Sequence, residues 1–153
     1  MKKLMAWMMV AGLVAMAGQA WAAEADWLTD FAKAQSKAQA DKKMVLLEFT
    51  GSDWCPPCKA LHKNVLTSDE FVNYAKDNLV LVLVDFPRHK ELTEEQKKAN
   101  QTLAEKFNIE GYPTVLLLGK DGEELNKQVG YSGESAKDFV AKLKALKDKE
   151  KAK

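Results

Sequence analysis

The chain has little cysteine: two in 153 residues, too few for a small scaffold stapled by disulfides. It has no excess of either charge, since 23 Lys and Arg face 22 Asp and Glu for a formal net charge of +1. A bulk basic field for nucleic acid is therefore excluded, and so is the character of an acidic tail. It has no internal repeat and no low-complexity linker. Its apolar runs are too few for a multi-pass membrane protein. What is present is globular: 46% apolar and 29% charged residues, in a length that suits one domain.

The first residues change this arithmetic. Met1-Lys2-Lys3 is a short basic segment, Leu4 to Ala17 is apolar, and Ala20-Trp21-Ala22 has the A-x-A build of a cleavage site. This is the pattern of a secretory signal peptide, cleaved after Ala22. Lys2-Lys3 stands where a twin-arginine signal would have Arg-Arg, and no cysteine near the cut offers a lipid anchor. An uncleaved anchor is the alternative, but Gly12, Gly18 and Gln19 interrupt it. Without residues 1–22 the chain holds 21 basic and 22 acidic residues, a net charge of −1, and keeps both cysteines. The expected compartment is periplasmic or secreted, where disulfides form and persist.

Along the remaining chain, Asp26 to Asp41 reads as an amphipathic helix with Trp27, Phe31, Ala34 and Ala38 on one side. Met44 to Phe49 reads as a buried strand, and Gly51-Ser52-Asp53 as a loop. Cys55-Pro56-Pro57-Cys58 opens a second helix, because proline is tolerated in a first helical turn. Thr67-x-x-Glu70 predicts a capping box, with Leu66 and Phe71 as its hydrophobic staple. Leu79 to Phe86 is the strongest strand. Thr93-x-x-Gln96 predicts a second capping box, and a helix to about Phe107. Val115 to Leu118 and Glu123 to Val129 form a hairpin about Lys120-Asp121-Gly122. Ser135 to Lys147 is a closing helix, and Asp148 to Lys153 is expected to fray. The order α-β-α-α-β-α-β-β-α predicts an α/β fold, a mixed central sheet with helices on both faces.

The chemistry centres on Cys55 and Cys58. Thiolate is the reactive form of cysteine, and a helix start favours negative charge. Three residues of separation let the pair close a small disulfide. A C-x-x-C beside a β–α–β pattern reads as a redox couple: Cys55 attacks a partner's disulfide and Cys58 resolves the mixed disulfide.

Glu48-Phe49, then Trp54-Cys55-Pro56-Pro57-Cys58-Lys59, then Tyr112-Pro113-Thr114 before an apolar strand and a Gly-bearing turn, resemble the thioredoxin superfamily. The likeness runs from about Met44 to Leu146, and the approach Thr50-Gly51-Ser52-Asp53-Trp54-Cys55 is similar to its secreted bacterial branch. The resemblance implies a thioredoxin fold over one domain, residues 23–153. It implies an exposed nucleophile at Cys55 and a buried resolving thiol at Cys58. Trp54, Tyr112 and a cis Pro113 would receive substrate. Glu48 would be a buried carboxyl that relays the resolving proton, with a pKa raised towards neutrality. One extra residue between Glu48 and Trp54, relative to the shortest thioredoxins, displaces this position along the chain.

The expected function is an exported thiol–disulfide oxidoreductase acting on protein cysteines without a dissociable cofactor, most simply as a reductase. A disulfide isomerase or an oxidant is the alternative direction. With no second cysteine pair in the sequence, a membrane-borne electron donor or redox partner is implied. Other readings stay open: a static disulfide, a binding domain using the Tyr112-Pro113 groove, or a metal module built on Cys55, Cys58, His62 and His89. No metal is expected. Haem attachment is excluded because Lys59, not histidine, follows Cys58. Asp85 reads as structural, and Lys59 and Lys90 to Lys98 as solvated.

Overall fold

The computed structural model describes residues 25–152. The expected signal peptide, residues 1–22, lies outside the described residues. Five strands form one mixed sheet in the order β1-β3-β2-β4-β5. These are β1 (Trp27–Leu28), β2 (Met44–Thr50), β3 (Leu79–Asp85), β4 (Thr114–Leu118) and β5 (Glu124–Val129). β3 runs parallel to β1 and β2, whereas β4 is antiparallel to β2 and β5 to β4. The helices are α1 (Phe31–Asp41), α2 (Pro56–Leu61), α3 (Asp69–Asn78), α4 (Glu94–Lys106) and α5 (Ala136–Lys151), with a π-helical turn at His62–Leu66.

β2 is buried along its whole length, which explains why it reads as a continuous apolar run rather than an alternating one. Successive side chains still point to opposite faces. Val45, Leu47, Phe49, Val80, Val82 and Val84 pack with Ala34 and Ala38 of α1 and Leu103 of α4. Met44, Leu46, Leu79 and Leu81 pack with Leu61, Phe71, Phe139 and Leu143 on the other face, under α2, α3 and α5. By this parity Glu48 and Asp85 belong to the face that α2 covers.

Three expected boundaries move. Trp27 does not begin a helix: it pairs with Leu81 as part of β1. α1 starts only at Phe31, where Asp30 caps it by accepting from the Lys33 N–H at 3.0 Å. The open edge of β3 offers Trp27 and Leu28 backbone partners that a first helical turn lacks. Trp27 and Phe31 therefore pack against opposite faces of the sheet. The cap of α3 is Ser68 rather than Thr67. Thr67 closes the preceding π-helical turn by donating its hydroxyl to the carbonyls of His62 and Lys63. Finally, α5 does not fray after Lys147 but runs to Lys151, because the Glu150 carboxylate accepts from the Lys120 N–H at 2.9 Å and ties the helix end to the β4–β5 turn. Thr93 caps α4 as expected, accepting from the Gln96 N–H at 3.1 Å. The Gln96 side chain, however, donates to Thr29 and Asn100 instead of returning to the cap.

Candidate active site at the start of α2

The site lies where β2 and β3 end and α2 begins. After Thr50 the chain turns on Gly51, whose carbonyl accepts from the Trp54 and Cys55 N–H groups at 3.2 and 2.9 Å. Gly51 is required by a close approach. A Cβ there would lie 2.4 Å from Cε2 of the Trp54 indole. Cys55 is the extended residue before α2, and Pro56 and Pro57 occupy the first helical positions. Cys58 faces inward, and a disulfide joins it to Cys55 with their Cα atoms 5.3 Å apart.

The expectation of an exposed nucleophile needs correction for this oxidised form. Cys55 is 3% exposed and Cys58 is 1% exposed. Bonded to the inward-facing Cys58, Cys55 shares its burial. The disulfide does not stand out from the surface. Next to it in the chain, Trp54 belongs to an aromatic rim in which it meets Tyr112 edge-on at 6.1 Å and Phe86 packs on Tyr112 at 5.2 Å. The Trp54 indole N–H donates to the Phe86 carbonyl at 2.8 Å. The Tyr112–Pro113 peptide is cis, and the Pro113 carbonyl accepts from the Gly130 N–H at 2.7 Å. Contact between Trp54 and Tyr112 thus brings the residue before Cys55 against the residue before Pro113.

Glu48 reaches the cysteines' side of the sheet despite the extra residue in the loop. Its neighbours in register are Leu83 and Val115, both apolar. With Cys58, Thr50, Ser52, Lys59, His62 and Leu83 it lines a cavity of about 280 Å³. Glu48 is 1% exposed, and its Oε2 has no hydrogen-bond partner. Burial pushes its carboxyl up from 4.5 to about 8, and the charge of Asp85 pushes the same way. Tyr112 is also held above its ordinary value by burial.

Several contributors were not legible as site residues in the sequence. Asp85, read there as structural, accepts from the Ser52 N–H at 3.0 Å and from its hydroxyl at 2.5 Å. Its carbonyl accepts from Asn100 at 2.8 Å. It thereby fixes the loop that leads to Cys55. Asp53 accepts from the N–H groups of Arg88, His89 and Lys90, and Arg88 lies over the Trp54 ring. Apart from Asp85 and Asn100, these partners are more than thirty residues apart in the chain, and no local pattern announces them. Among the described residues no three His, Cys, Asp or Glu side chains form a group that could hold a metal ion. The set Cys55, Cys58, His62 and His89 is not assembled as one, and both sulfurs are held in the disulfide.

Comparison with known proteins agrees with this geometry. Residues 31–147 match the family described as a thioredoxin-like domain. The disulfide bond reductase DsbH of Chlamydia pneumoniae is 33% identical over 124 residues, 81% of this chain and 74% of that protein. The thioredoxin-related protein DsbJ of the same organism is 30% identical over 113 residues, 74% of this chain but 32% of its own length. A solved structure of a DsbH oxidoreductase superposes with a TM-score of 0.76 at 32% identity, covering 82% of this chain and 85% of the other.

Proposed function

Because the chain belongs to the thioredoxin-like family and is a thiol–disulfide oxidoreductase, we propose that it works as an exported reductase of protein disulfides, with Cys55 as nucleophile, Cys58 as resolving thiol and Glu48 as the group that takes the resolving proton. The Cys55 thiolate attacks one sulfur of the partner's disulfide, forming a mixed disulfide and releasing one partner thiolate. Cys58 then gives its proton to Glu48 and attacks the Cys55 sulfur. The Cys55–Cys58 disulfide closes, the second partner thiolate leaves, and two electrons have passed to the partner.

One observation carries this reading: an unpartnered, buried Glu48 oxygen in the cavity that Cys58 also lines. A cavity of this size admits water, which would give the proton a path. With a pKa of about 8 the carboxyl exchanges protons near neutral pH, as a general base needs.

The prolines favour the reducing direction. Pro56 and Pro57 bring no N–H, so of the first three residues of α2 only Cys58 offers one to a Cys55 thiolate. A thiolate with fewer donors stabilises the dithiol form less, and an unstabilised dithiol is the better reductant. Trp54, Tyr112 and Pro113 would form the rim that receives the partner. The leader at residues 1–22 would direct the domain, residues 23–153, out of the cytoplasm. There, a membrane-borne dithiol donor would reduce the pair again, because the sequence holds no second cysteine pair.

Insulin reduction and the reduction potential of the pair test this. The expected potential is near thioredoxin's, about −270 mV; a value near about −120 mV would make the protein an oxidant instead. Cys55→Ser is expected to reduce insulin no faster than buffer, and full activity in that variant would remove Cys55 from its assigned role.

A further inference from the structure

The loop after β3 is bound to the two residues that precede Cys55. Asp53 accepts from the backbone N–H groups of Arg88, His89 and Lys90 at 3.0, 2.7 and 3.0 Å. These bonds, that of Arg88 first, hold the Asp53 carboxyl below its ordinary value. Trp54 completes the tie through its bond to the Phe86 carbonyl. The Arg88 guanidinium lies 3.8 Å from the centroid of the Trp54 ring. Stacking uses the flat face of the group and leaves its N–H edges free to donate. The ion pairs among the described residues are Lys37–Asp41, Lys97–Glu94, Lys127–Glu124 and Lys142–Glu134, and none takes up Arg88.

Three neighbouring carboxylates, those of Asp53, Asp85 and Glu48, are occupied or buried. Asp53 is held by three amides, Asp85 by Ser52, and Glu48 lies in the interior. Glu91 acts on Lys97, and Glu110 is the exposed acid of the cis-proline loop. Lys59, directly after Cys58, and Lys90 are exposed as well. A chain of net charge +1 therefore presents, beside its disulfide, a fixed guanidinium fork with no carboxylate in it.

We propose that Arg88 is a specificity-determining residue: it receives a carboxylate flanking the partner's cysteine, so the protein reacts preferentially with disulfides set in acidic sequence. The proposal rests on the reductase reading above. Asp53 is a positioning residue for it, since it holds the backbone that places Arg88 on Trp54.

The test uses the reduced full chain and three synthetic peptide disulfides that differ only in whether Asp, Ser or Lys flanks the cysteine. At low salt the second-order rate constant for the Asp peptide is expected to exceed that for the Ser peptide by about fivefold, the scale of one solvent-exposed charge-assisted hydrogen bond. The Lys peptide should be slowest, and 0.5 M salt should shrink the spread. Arg88→Gln is expected to bring the Asp and Ser peptides to within about 1.5-fold of each other. Arg88→Lys, which keeps the charge and loses the fork, should fall between the two. Equal Asp and Ser rates in the wild type, or a preference that survives Arg88→Gln, would overturn the proposal. Failure to react with any of the three peptides would overturn the reductase reading along with it, so the two failures are distinct.

Discussion

The two faces of the sheet are built from the same strands and differ in one stretch. Towards α1 and α4, β2 and β3 present Val45, Leu47, Phe49, Val80, Val82 and Val84, all apolar. Towards α2 the same strands present Met44, Leu46, Leu79 and Leu81, then Glu48, Thr50 and Asp85. The second face is thus apolar only until it reaches the ends of the strands where α2 begins. A buried carboxyl is costly wherever it sits. Here Asp85 is satisfied by Ser52, while Glu48 keeps one oxygen without a partner beside the cavity that holds Cys58. The dry face shows what burial alone selects, and the departures on the other face mark where chemistry is done.

Breaking the dry face should cost stability and leave the chemistry alone. Phe49→Ala is expected to lower unfolding free energy by about 3–5 kcal/mol, read from denaturant midpoints. Insulin reduction per folded molecule should stay within about threefold; a collapse of activity in the folded fraction would show that the two faces are not separable.

Next in size is the pH dependence of stability on the other face. The folded pKa of Glu48 is raised, so folding disfavours its ionised form. Below about 4.5 both states bind the proton and no penalty exists. Between 4.5 and about 8 the unfolded chain ionises while the folded chain does not, so stability falls as pH rises and levels off above about 8. The fall amounts to a few kcal/mol, on the scale of ~1.4 kcal/mol per pKa unit. Glu48→Gln should remove this slope, and a slope that persists in the variant would assign it elsewhere.

The same substitution should slow turnover at neutral pH by about 10²-fold, the lower end of what positioned proton transfer contributes. It should also flatten the rise of rate with pH towards 8. An unchanged profile would leave Glu48 as a buried carboxyl with no part in resolution.

The smallest effect concerns the rim. Gly51→Ala places a Cβ within 2.4 Å of the Trp54 indole, so the ring must move from its bond to Phe86. A loss of about 1–3 kcal/mol is expected, as for other overpacked sites, with a changed near-ultraviolet dichroism signal. A variant with wild-type stability and an unaltered signal would show that the rim is softer than its geometry.

Much of this was legible in the chain. The strand β2, the parallel pairing of β2 and β3, the hairpin and the Thr93 cap all follow from local pattern. Local pattern failed at Trp27, because its spacing from Phe31 fits a helix and its true partner, Leu81, lies far along the chain. It failed again at Thr67, which resembles a cap but serves the π-helical turn.

By itself the sequence determined the redox pair and its place at a helix start, because both depend on spacing within a single element; that Glu48 and Asp85 share a face depends on the register of β2 against β3. Only the tertiary structure decided that Glu48 shares a cavity with Cys58, that Ser52 anchors to Asp85, and that Asp53 carries Arg88 onto Trp54. The bonds of Ser52 to Asp85 and of Asp53 to the loop after β3 join residues 33 to 37 apart, and they exist only once β2 and β3 lie in register, Thr50 opposite Asp85.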